Sequence, residues 1–399
     1  MGLTDSEGIG ARIRTARALR QMSQVQLAGE ARLSLSYLEK IERGARVPSA
    51  GAVIALARAL RTDVTTLNGQ PDDTMDLNGV IPELRRVLLC YRSPAALDTA
   101  PRPLADLRAD IERISRHRRS AEYAQLAPDL PALLTEVTHV ALAAQGDARR
   151  DAFSLLAIGY RAANSLSHKL GFYDLSTCAL ERVEWAAEHS DDPLMVATAR
   201  YLIAGAMLRE GAITKGVQLL HGVERDLIAL STRRPRTAAD TAVHGAVLLK
   251  LAILVARGHG SRDPEPYLAE ADRLARAMGR DEVHYETTFG PAQVGIHRTA
   301  ALIELDLQDE AVTLGESLVL PADLAPERSS HHHIDLASAQ LATGNRAGAL
   351  ASLQTARHLA PQHTRHHPRV RETAGTLLRL ERGNTESVAA MARWSGVPL

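Results

Sequence analysis

Cysteine, aromatic residues and lysine are all scarce in this chain of 399 residues. Two cysteines, Cys90 and Cys178, exclude a disulfide framework and a cysteine-rich zinc module. Aromatic residues make up only 3% of the chain, and alanine and leucine dominate, which favours helices over strands. Arginine carries nearly all of the positive charge, and the four lysines are Lys40, Lys169, Lys215 and Lys250.

Net charge and long apolar runs are also absent. Lysine plus arginine and aspartate plus glutamate both number 47, so no overall field attracts nucleic acid or a membrane. The longest apolar stretch, 245–256, contains Lys250 and is too short to span a bilayer. The first residues lack a basic segment followed by an apolar run, so we expect no secretory signal and a soluble cytoplasmic protein.

Enzyme motifs are missing as well. The chain has no G-x-x-x-x-G-K-[ST] phosphate loop, no G-x-S-x-G elbow, no H-E-x-x-H and no G-x-G-x-x-G after a strand. Histidine is frequent, with 16 residues, of which seven lie between 331 and 367. A metal site could be suggested by His331, His332, His333, His363, His366 and His367, but adjacent histidines on one helix point in different directions. No cysteine or acid completes a recognised ligand spacing there, so we expect no metal, no cofactor and no catalysis.

The first 69 residues differ in charge from the rest of the chain. They contain ten Lys/Arg and six Asp/Glu residues, a net charge of +4, so the remainder carries −4. Ser23 and Gln26 form a predicted capping box, Ser34 is a predicted N-cap, and Gly44 ends a helix. The spacing predicts four helices and a short fifth turn at 64–67. The predicted buried residues of the first two helices are Ile9, Ile13, Ala16, Leu19, Val25, Leu27 and Ala28.

Only a few residues around 31–33 join the second and third predicted helices, the geometry of a helix-turn-helix. The segment contains three spaced runs: Gly10-x-Arg12-Ile13-Arg14-x-x-Arg17, Ser23-Gln24-x-x-Leu27-Ala28, and Ser34-x-Ser36-Tyr37-Leu38-x-x-Ile41-Glu42-Arg43-Gly44-x-Arg46-x-Pro48-Ser49. In this pattern the segment resembles the XRE (lambda repressor-like) DNA-binding domain. The resemblance implies a pair between Arg17 and Glu42 that ties the first helix to the third.

The resemblance also implies that the third helix lies in the DNA major groove, which displays a distinct pattern for each base pair. Ser36 and Lys40 can then bind base edges, Leu35 can touch a thymine methyl group, and Gln24 can donate to a phosphate. Ser34 is expected to act chiefly as a cap, and Tyr37 either packs or contacts DNA. The full set of predicted DNA-binding residues is Gln24, Ser34, Leu35, Ser36, Tyr37, Lys40, Arg43 and Arg46, of which the last two contact phosphates.

Helix after helix is predicted beyond a linker at 70–79, so the fold class is all-α, with a domain at 1–69 and another at 80–399. One long helix is predicted over 121–144, and no strand is predicted. The best repeat unit runs from Ala339 to Pro361, with Gly344-Asn345 at its turn and Ala349 and Leu353 on its second helix. It resembles a tetratricopeptide repeat, and looser copies near 206–220 and 301–311 indicate an α-solenoid with a concave groove.

The two parts together resemble actinobacterial regulators with an XRE head and a helical-repeat body. Phe289-Gly290-Pro291 and His367-Pro368 belong to segments that resemble parts of such bodies, although Ala292-Gln293 stands where Thr-Asn is usual. The resemblance implies a body that senses a small molecule or a peptide. The candidate effector-binding residues are Tyr160, Arg161, Asn164, His168, Tyr201, Gln293 and His297, each of which could instead be a locally satisfied packing group.

We therefore expect a sequence-specific transcription regulator that binds operator DNA as a homodimer, because one small module covers few base pairs. Two alternatives remain open at this point. The body could grip a partner protein while the head only localises this scaffold, or the groove could be purely structural in a constitutive repressor.

Overall fold

A computed structural model describes residues 9–43, 48, 50–60, 62, 67, 75–258, 263–380 and 386–397. The chain divides into two compact units, a head at 1–75 and a body at 76–397. The described residues of both units are almost entirely helical, which confirms the all-α fold class. The helices of the head are α1 (Ile9–Leu19), α2 (Gln24–Glu30), α3 (Leu35–Glu42) and α4 (Ala50–Ala59).

Local signals set the helix starts in the head. The predicted capping box is present: Gln26 N donates to Ser23 Oγ at 3.1 Å, and Ser23 N donates to Gln26 Oε1 at 2.8 Å. The core of the head forms around Ile13, Leu27 and other side chains that are fully buried, namely Leu38, Ile41 and Leu56.

Two residues predicted to be buried in the head are exposed. Leu19 is 79% exposed and Val25 is 64% exposed. Successive helical residues are rotated by about 100°, so Val25 lies nearly opposite Leu27, and Leu19 lies well off the face of Ile13. Leu19 and Val25 therefore lie off the buried faces of α1 and α2, although they are apolar.

The body is a solenoid-like stack of helices in which consecutive helices pack against each other. A glycine with φ of +83° at Gly344 makes the predicted turn between the helix that ends at Ala342 and the helix that begins at Arg346. The helices of the body are α5 (Met75–Leu89), α6 (Leu104–Arg119), α7 (Tyr123–Leu126), α8 (Leu130–Ala143), α9 (Gly146–Lys169), α10 (Tyr173–His189), α11 (Pro193–Arg209), α12 (Ile213–Arg233), α13 (Ala238–Arg257), α14 (Glu265–Met278), α15 (Pro291–Glu304), α16 (Gln308–Ser317), α17 (Pro326–Ala342), α18 (Arg346–Leu359), α19 (Pro361–His366), α20 (Pro368–Leu380) and α21 (Glu386–Trp394).

Three helix boundaries differ from the prediction, and prolines account for two of them. The helix predicted over 121–144 is two helices, because Pro131 fits only the first turn of α8. Helix α19 is separate from α20 because Pro368 begins a new helix. Helix α5 begins at Met75, inside the stretch predicted as a linker.

A short β-hairpin interrupts the helices of the body, where no strand was predicted. Strands β1 (Glu282–His284) and β2 (Thr287–Phe289) are antiparallel. Three residues per strand are too few for a visible alternation. Phe289 of β2 packs directly against α13. Its ring lies so close to Gly245 that a Cβ added to this glycine would be 2.0 Å from the Phe289 ring.

Helix α13 is long and apolar enough to cross a membrane by length and composition alone. Within the described structure it is a core helix of the body, because 72% of its apolar window is buried there. It carries Lys250 near its middle, which becomes important for the site described below.

Candidate DNA interface and effector site

The outer face of α3 presents polar side chains to solvent. Leu35 is 38% exposed, and Ser36 and Lys40 are exposed as well. Ser34 caps the helix, because its Oγ accepts from the backbone N–H of Tyr37 at 3.3 Å. The Tyr37 ring is half-buried against the core of the head. The N-terminal part of α3 therefore has a free outer edge and a fixed inner edge.

A buried carboxylate holds α3 in place. Glu42 Oε1 accepts from Arg17 Nε at 2.7 Å, and its Oε2 accepts from Arg17 Nη2 at 2.9 Å. The predicted tie between α1 and α3 is thus present, and the side chain of Glu42 is only 2% exposed. Burial by itself would raise the pKa of Glu42, but hydrogen bonds from Arg17 and Gln24 hold that pKa below its ordinary value.

Three predicted contacts with phosphate have different surroundings. The amide of Gln24 donates to Glu42 Oε2 at 2.7 Å, so it extends the buried network rather than standing free at the start of α2. Arg43 is exposed, and its Nε donates to the carbonyl oxygen of Glu39 at 3.2 Å. Arg46 lies outside the described residues, as does most of the turn predicted at 64–67.

In the body, five cationic side chains from four different helices interact with one another. We call this set the inner cationic cluster. Arg328, in the first turn of α17, lies close enough to the other members to shift most of their pKa values. The inner cationic cluster consists of Arg161, Lys169, Arg209, Lys250 and Arg328.

The phenol of Tyr201 lies within the inner cationic cluster. Lys250 Nζ is 4.8 Å from the centre of its ring, and the positive charges of Lys250 and Arg328 both act on its hydroxyl. Burial would raise the pKa of Tyr201, but the neighbouring cations lower it to about 8. A Cβ built on Gly205 would lie 3.7 Å from Lys250 Nζ and 3.8 Å from Arg209 Nη1, so glycine leaves room where two cations converge.

Two predicted histidines belong to the same surroundings and are uncharged at neutral pH. Burial and the nearby Arg209 and Lys169 lower the pKa of His168 to about 4. Burial and Arg328 lower the pKa of His297 to about 3. Burial also lowers the pKa of both lysines in the cluster. These pKa values are all lowered for the same two reasons. A charged group is costly to bury away from water, and positive neighbours repel a further positive charge.

Among the described residues, the acids near the inner cationic cluster, Glu210, Glu286 and Glu327, are fewer than its five cations. Glu327 lies 3.9 Å from Lys169. Glu286 pairs with two further arginines, Arg118 at 2.9 Å and Arg119 at 2.8 Å, rather than with a lysine of the cluster. Buried charges are normally paired, so a surplus of positive groups favours an anion at this place.

The β-hairpin brings its tip into the same region. Tyr285 and Glu286 form its two-residue turn with φ of +48° and +60°, values that glycine or asparagine usually supplies. Contacts compensate for this strain: Arg161 Nη1 donates to the Tyr285 carbonyl at 3.1 Å, and Tyr285 Oη donates to Asp192 at 2.6 Å. The tip therefore joins α6, α9 and the start of α11.

The structure brings together only some of the predicted effector-binding residues. Tyr160 is fully buried in the hydrophobic core, with its hydroxyl 3.5 Å from Thr138. Asn164 donates to Ser176 on α10 at 2.8 Å and is satisfied locally. Both are thus packing groups. The fully buried amide of Gln293 has no hydrogen-bond partner among the described residues.

Sequence reasoning missed four of the five cations in the inner cationic cluster and found Arg161 only. A signal existed for Lys250, which lies in the apolar run at 245–256. Lys169 offered none, because it is the last residue of α9, where a basic residue is common. Arg209 offered no such signal because it stands at the end of a helix, where a basic residue is common, and Arg328 offered none because it lies in a polar stretch at a helix start.

Comparison with known proteins identifies the head. Residues 9–68 match the family model described as a helix-turn-helix domain, so the head is a helix-turn-helix domain. The chain is also similar to the immunity repressor protein of the Bacillus phage phi105, with 34% identity over 105 residues. That match covers 26% of this chain and 65% of the repressor.

Two solved structures are weakly similar along most of the chain. One is Bacillus thuringiensis PlcR in complex with the peptide PapR7 and DNA, at 13% identity and a TM-score of 0.28, covering 89% of this chain and 94% of that one. The other is the apo form of the competence regulator ComR from Streptococcus vestibularis, at 12% identity and a TM-score of 0.23, covering 99% and 100%. Such low scores do not establish a common fold.

Proposed function

We propose that this protein is a sequence-specific transcription regulator whose head binds operator DNA through α3. The observation that carries the proposal is the exposed edge of α3, with Leu35, Ser36 and Lys40 outward and Glu42 fixing the helix from within. A rigid helix with exposed polar side chains suits the major groove, where base edges are read. The similarity to a phage repressor supports the same function.

The regulator acts in this proposal as a homodimer in the cytoplasm, without catalysis. One α3 helix of eight residues contacts few base pairs, and two-fold pairing doubles the length of the site. The head would then be of the XRE type and the body a set of tetratricopeptide-like hairpins that holds two heads at a fixed spacing.

The body is proposed to bind an anionic effector, a peptide or small molecule that carries carboxylate or phosphate groups. The surplus of positive charge in the inner cationic cluster supports this chemistry, as does the unpartnered amide of Gln293 beside His297. An effector can act only by binding one arrangement of the two heads more tightly than another.

Selection of duplexes from a random DNA library by the full chain tests the DNA-binding part. We expect enrichment of one palindromic sequence, bound by two chains per duplex, with affinity that falls steeply with salt. Recovery of unrelated sequences would contradict the proposal and favour the scaffold alternative, in which the head only localises the protein.

Thermal unfolding with tri-glutamate and tri-glutamine peptides tests the effector part. Binding to the folded state raises the melting temperature. We expect a shift with tri-glutamate only, lost in Lys250→Met and kept in Lys215→Met, which removes an exposed lysine of α12. Equal shifts for both peptides, or an unchanged response in Lys250→Met, would refute an anion site at the inner cationic cluster.

A further inference from the structure

Three histidines from two parts of the sequence, one at 331 and two at 363–367, meet on one side of α17. His331 lies on α17, His363 on α19, and His367 directly after α19. Their ring centres are 5.2 Å (His331 to His367), 5.5 Å (His363 to His367) and 5.9 Å (His331 to His363) apart. One ring nitrogen from each residue lies within 4.8 Å of the other two. We call these residues the histidine triad.

Nitrogen atoms of the histidine triad are buried without partners. His363 Nδ1 lies 2.9 Å from Lys169 Nζ, whereas its Nε2 has no hydrogen-bond partner among the described residues. The same holds, within the described part of the chain, for Nδ1 of His367. An unpaired buried nitrogen costs free energy, and in a neutral imidazole one of the two ring nitrogens carries the lone pair that can bind a metal ion. For His363 that nitrogen is Nε2 in the tautomer whose proton is on Nδ1.

Surrounding groups support the histidine triad. Asp335 lies one turn along α17, with Oδ2 3.6 Å from His331 Nε2, and it is itself held by Arg369. A carboxylate next to a ligating histidine commonly fixes the orientation of its ring. Lys169, Arg328 and Arg369 also lie near the histidine triad, and Glu327 and Asp335 offset part of their positive charge.

Solvent reaches the histidine triad from one side. The side chain of His331 is 42% exposed, whereas His363 is almost fully buried. An ion could therefore enter past His331 and meet the two inner nitrogens. Three imidazoles on one side of an ion leave a further coordination position open to water or to a small ligand.

From this geometry we propose that the histidine triad binds a divalent transition-metal ion of the zinc type. Imidazole is a preferred ligand of Zn²⁺ and Co²⁺, and Zn–N bonds of about 2.0–2.1 Å require the three rings to close in slightly. The bound ion joins α17 to α19. The proposal departs from the expectation of no metal at these histidines. Only one of the three adjacent histidines at 331–333 takes part, and packing of α17 against α19 brings it to His363 and His367.

Metal titration of the untagged full chain tests this site. We expect one Zn²⁺ to bind per chain, and Co²⁺ to give the visible absorption bands of a four-coordinate nitrogen and water environment. His331→Gln and His367→Gln should each weaken the binding of Zn²⁺ by at least about 100-fold, because each removes a side chain that binds the ion directly. Metal should also raise the melting temperature of the wild type.

His333→Gln is the matched control, since this histidine lies on the same helix outside the histidine triad. It should bind Zn²⁺ as the wild type does. Chelated samples of all variants should show the helical circular dichroism of the wild type. The inference is refuted if the wild type binds no metal, if the control loses binding equally, or if cobalt bands show thiolate coordination by Cys90. DNA binding plays no part in this experiment, so its outcome is independent of the proposed function.

Discussion

Replacement of Glu42 by glutamine removes the charge that holds the recognition helix to α1 and α2. The carboxylate accepts two hydrogen bonds from Arg17 and one from Gln24, and it is nearly inaccessible to water. Glutamine keeps the size but offers only one acceptor oxygen, and its amide group opposes the donors around it. A lost hydrogen bond to a charged group costs about 1.5–3 kcal/mol, so we expect the head to lose about 2–3 kcal/mol.

Hydrogen exchange in the intact chain measures this loss. A cost of about 2–3 kcal/mol corresponds to roughly 30- to 150-fold lower protection of amides across 9–43. Glu30→Gln is the matched control, because it is the same chemical change at an exposed position on α2. The reasoning fails if protection in Glu42→Gln equals that in the control, or if amides throughout the body lose protection by the same factor.

Three further predictions follow from close contacts and charges. Gly10→Ala places a Cβ 2.0 Å from a backbone oxygen of α3. We expect the free energy of unfolding of the head to fall by about 3 kcal/mol, which lowers the protection of its amides from exchange. Unchanged protection would show that α1 and α3 can move apart without cost. Arg118 and Arg119 hold the pKa of Glu286 low despite its burial. The carboxylate therefore stabilises the hairpin at any pH above the ordinary glutamate pKa of about 4.3. This stabilisation is lost as the pH falls through the lower pKa that Glu286 has in the folded protein. Protection factors over 282–289 should fall on acidification in the wild type and not in Glu286→Gln; identical profiles would contradict this. Arg43→Gln should weaken binding to all duplexes alike and reduce the salt slope by about 1, and a change of base preference would instead assign Arg43 to base reading.

The head could be predicted from its sequence in unusual detail because its signals are local. Capping at Ser23 and Ser34 depends on residues three positions apart, and the tie of Arg17 to Glu42 came from the resemblance of the spaced residues. The hydrogen bond between Gln24 and Glu42 was not predicted, and the phosphate contact of Gln24 stays a prediction. Predictions failed at helix ends, where Leu19 and Val25 turned out exposed.

The body was predictable only as a stack of helices. Its β-hairpin is held by contacts with residues more than 90 positions away, such as Tyr285 with Asp192, and no local pattern reveals them. The same is true of the inner cationic cluster, whose members come from four helices. Of the predicted effector residues, Arg161, His168, Tyr201 and His297 share its surroundings, whereas Tyr160 and Asn164 serve packing.

The base preference of a Lys40→Ala variant, set beside Lys215→Ala, tests the central claim most directly. Both changes remove one exposed lysine, but only Lys40 lies on the outer face of α3. With duplexes selected from a random library, Lys40→Ala should lose about 1–3 kcal/mol for the preferred sequence and relax the choice at one base pair in each half-site, while Lys215→Ala binds as the wild type does. Unchanged affinity and unchanged preference in Lys40→Ala would show that this face of α3 does not enter the duplex.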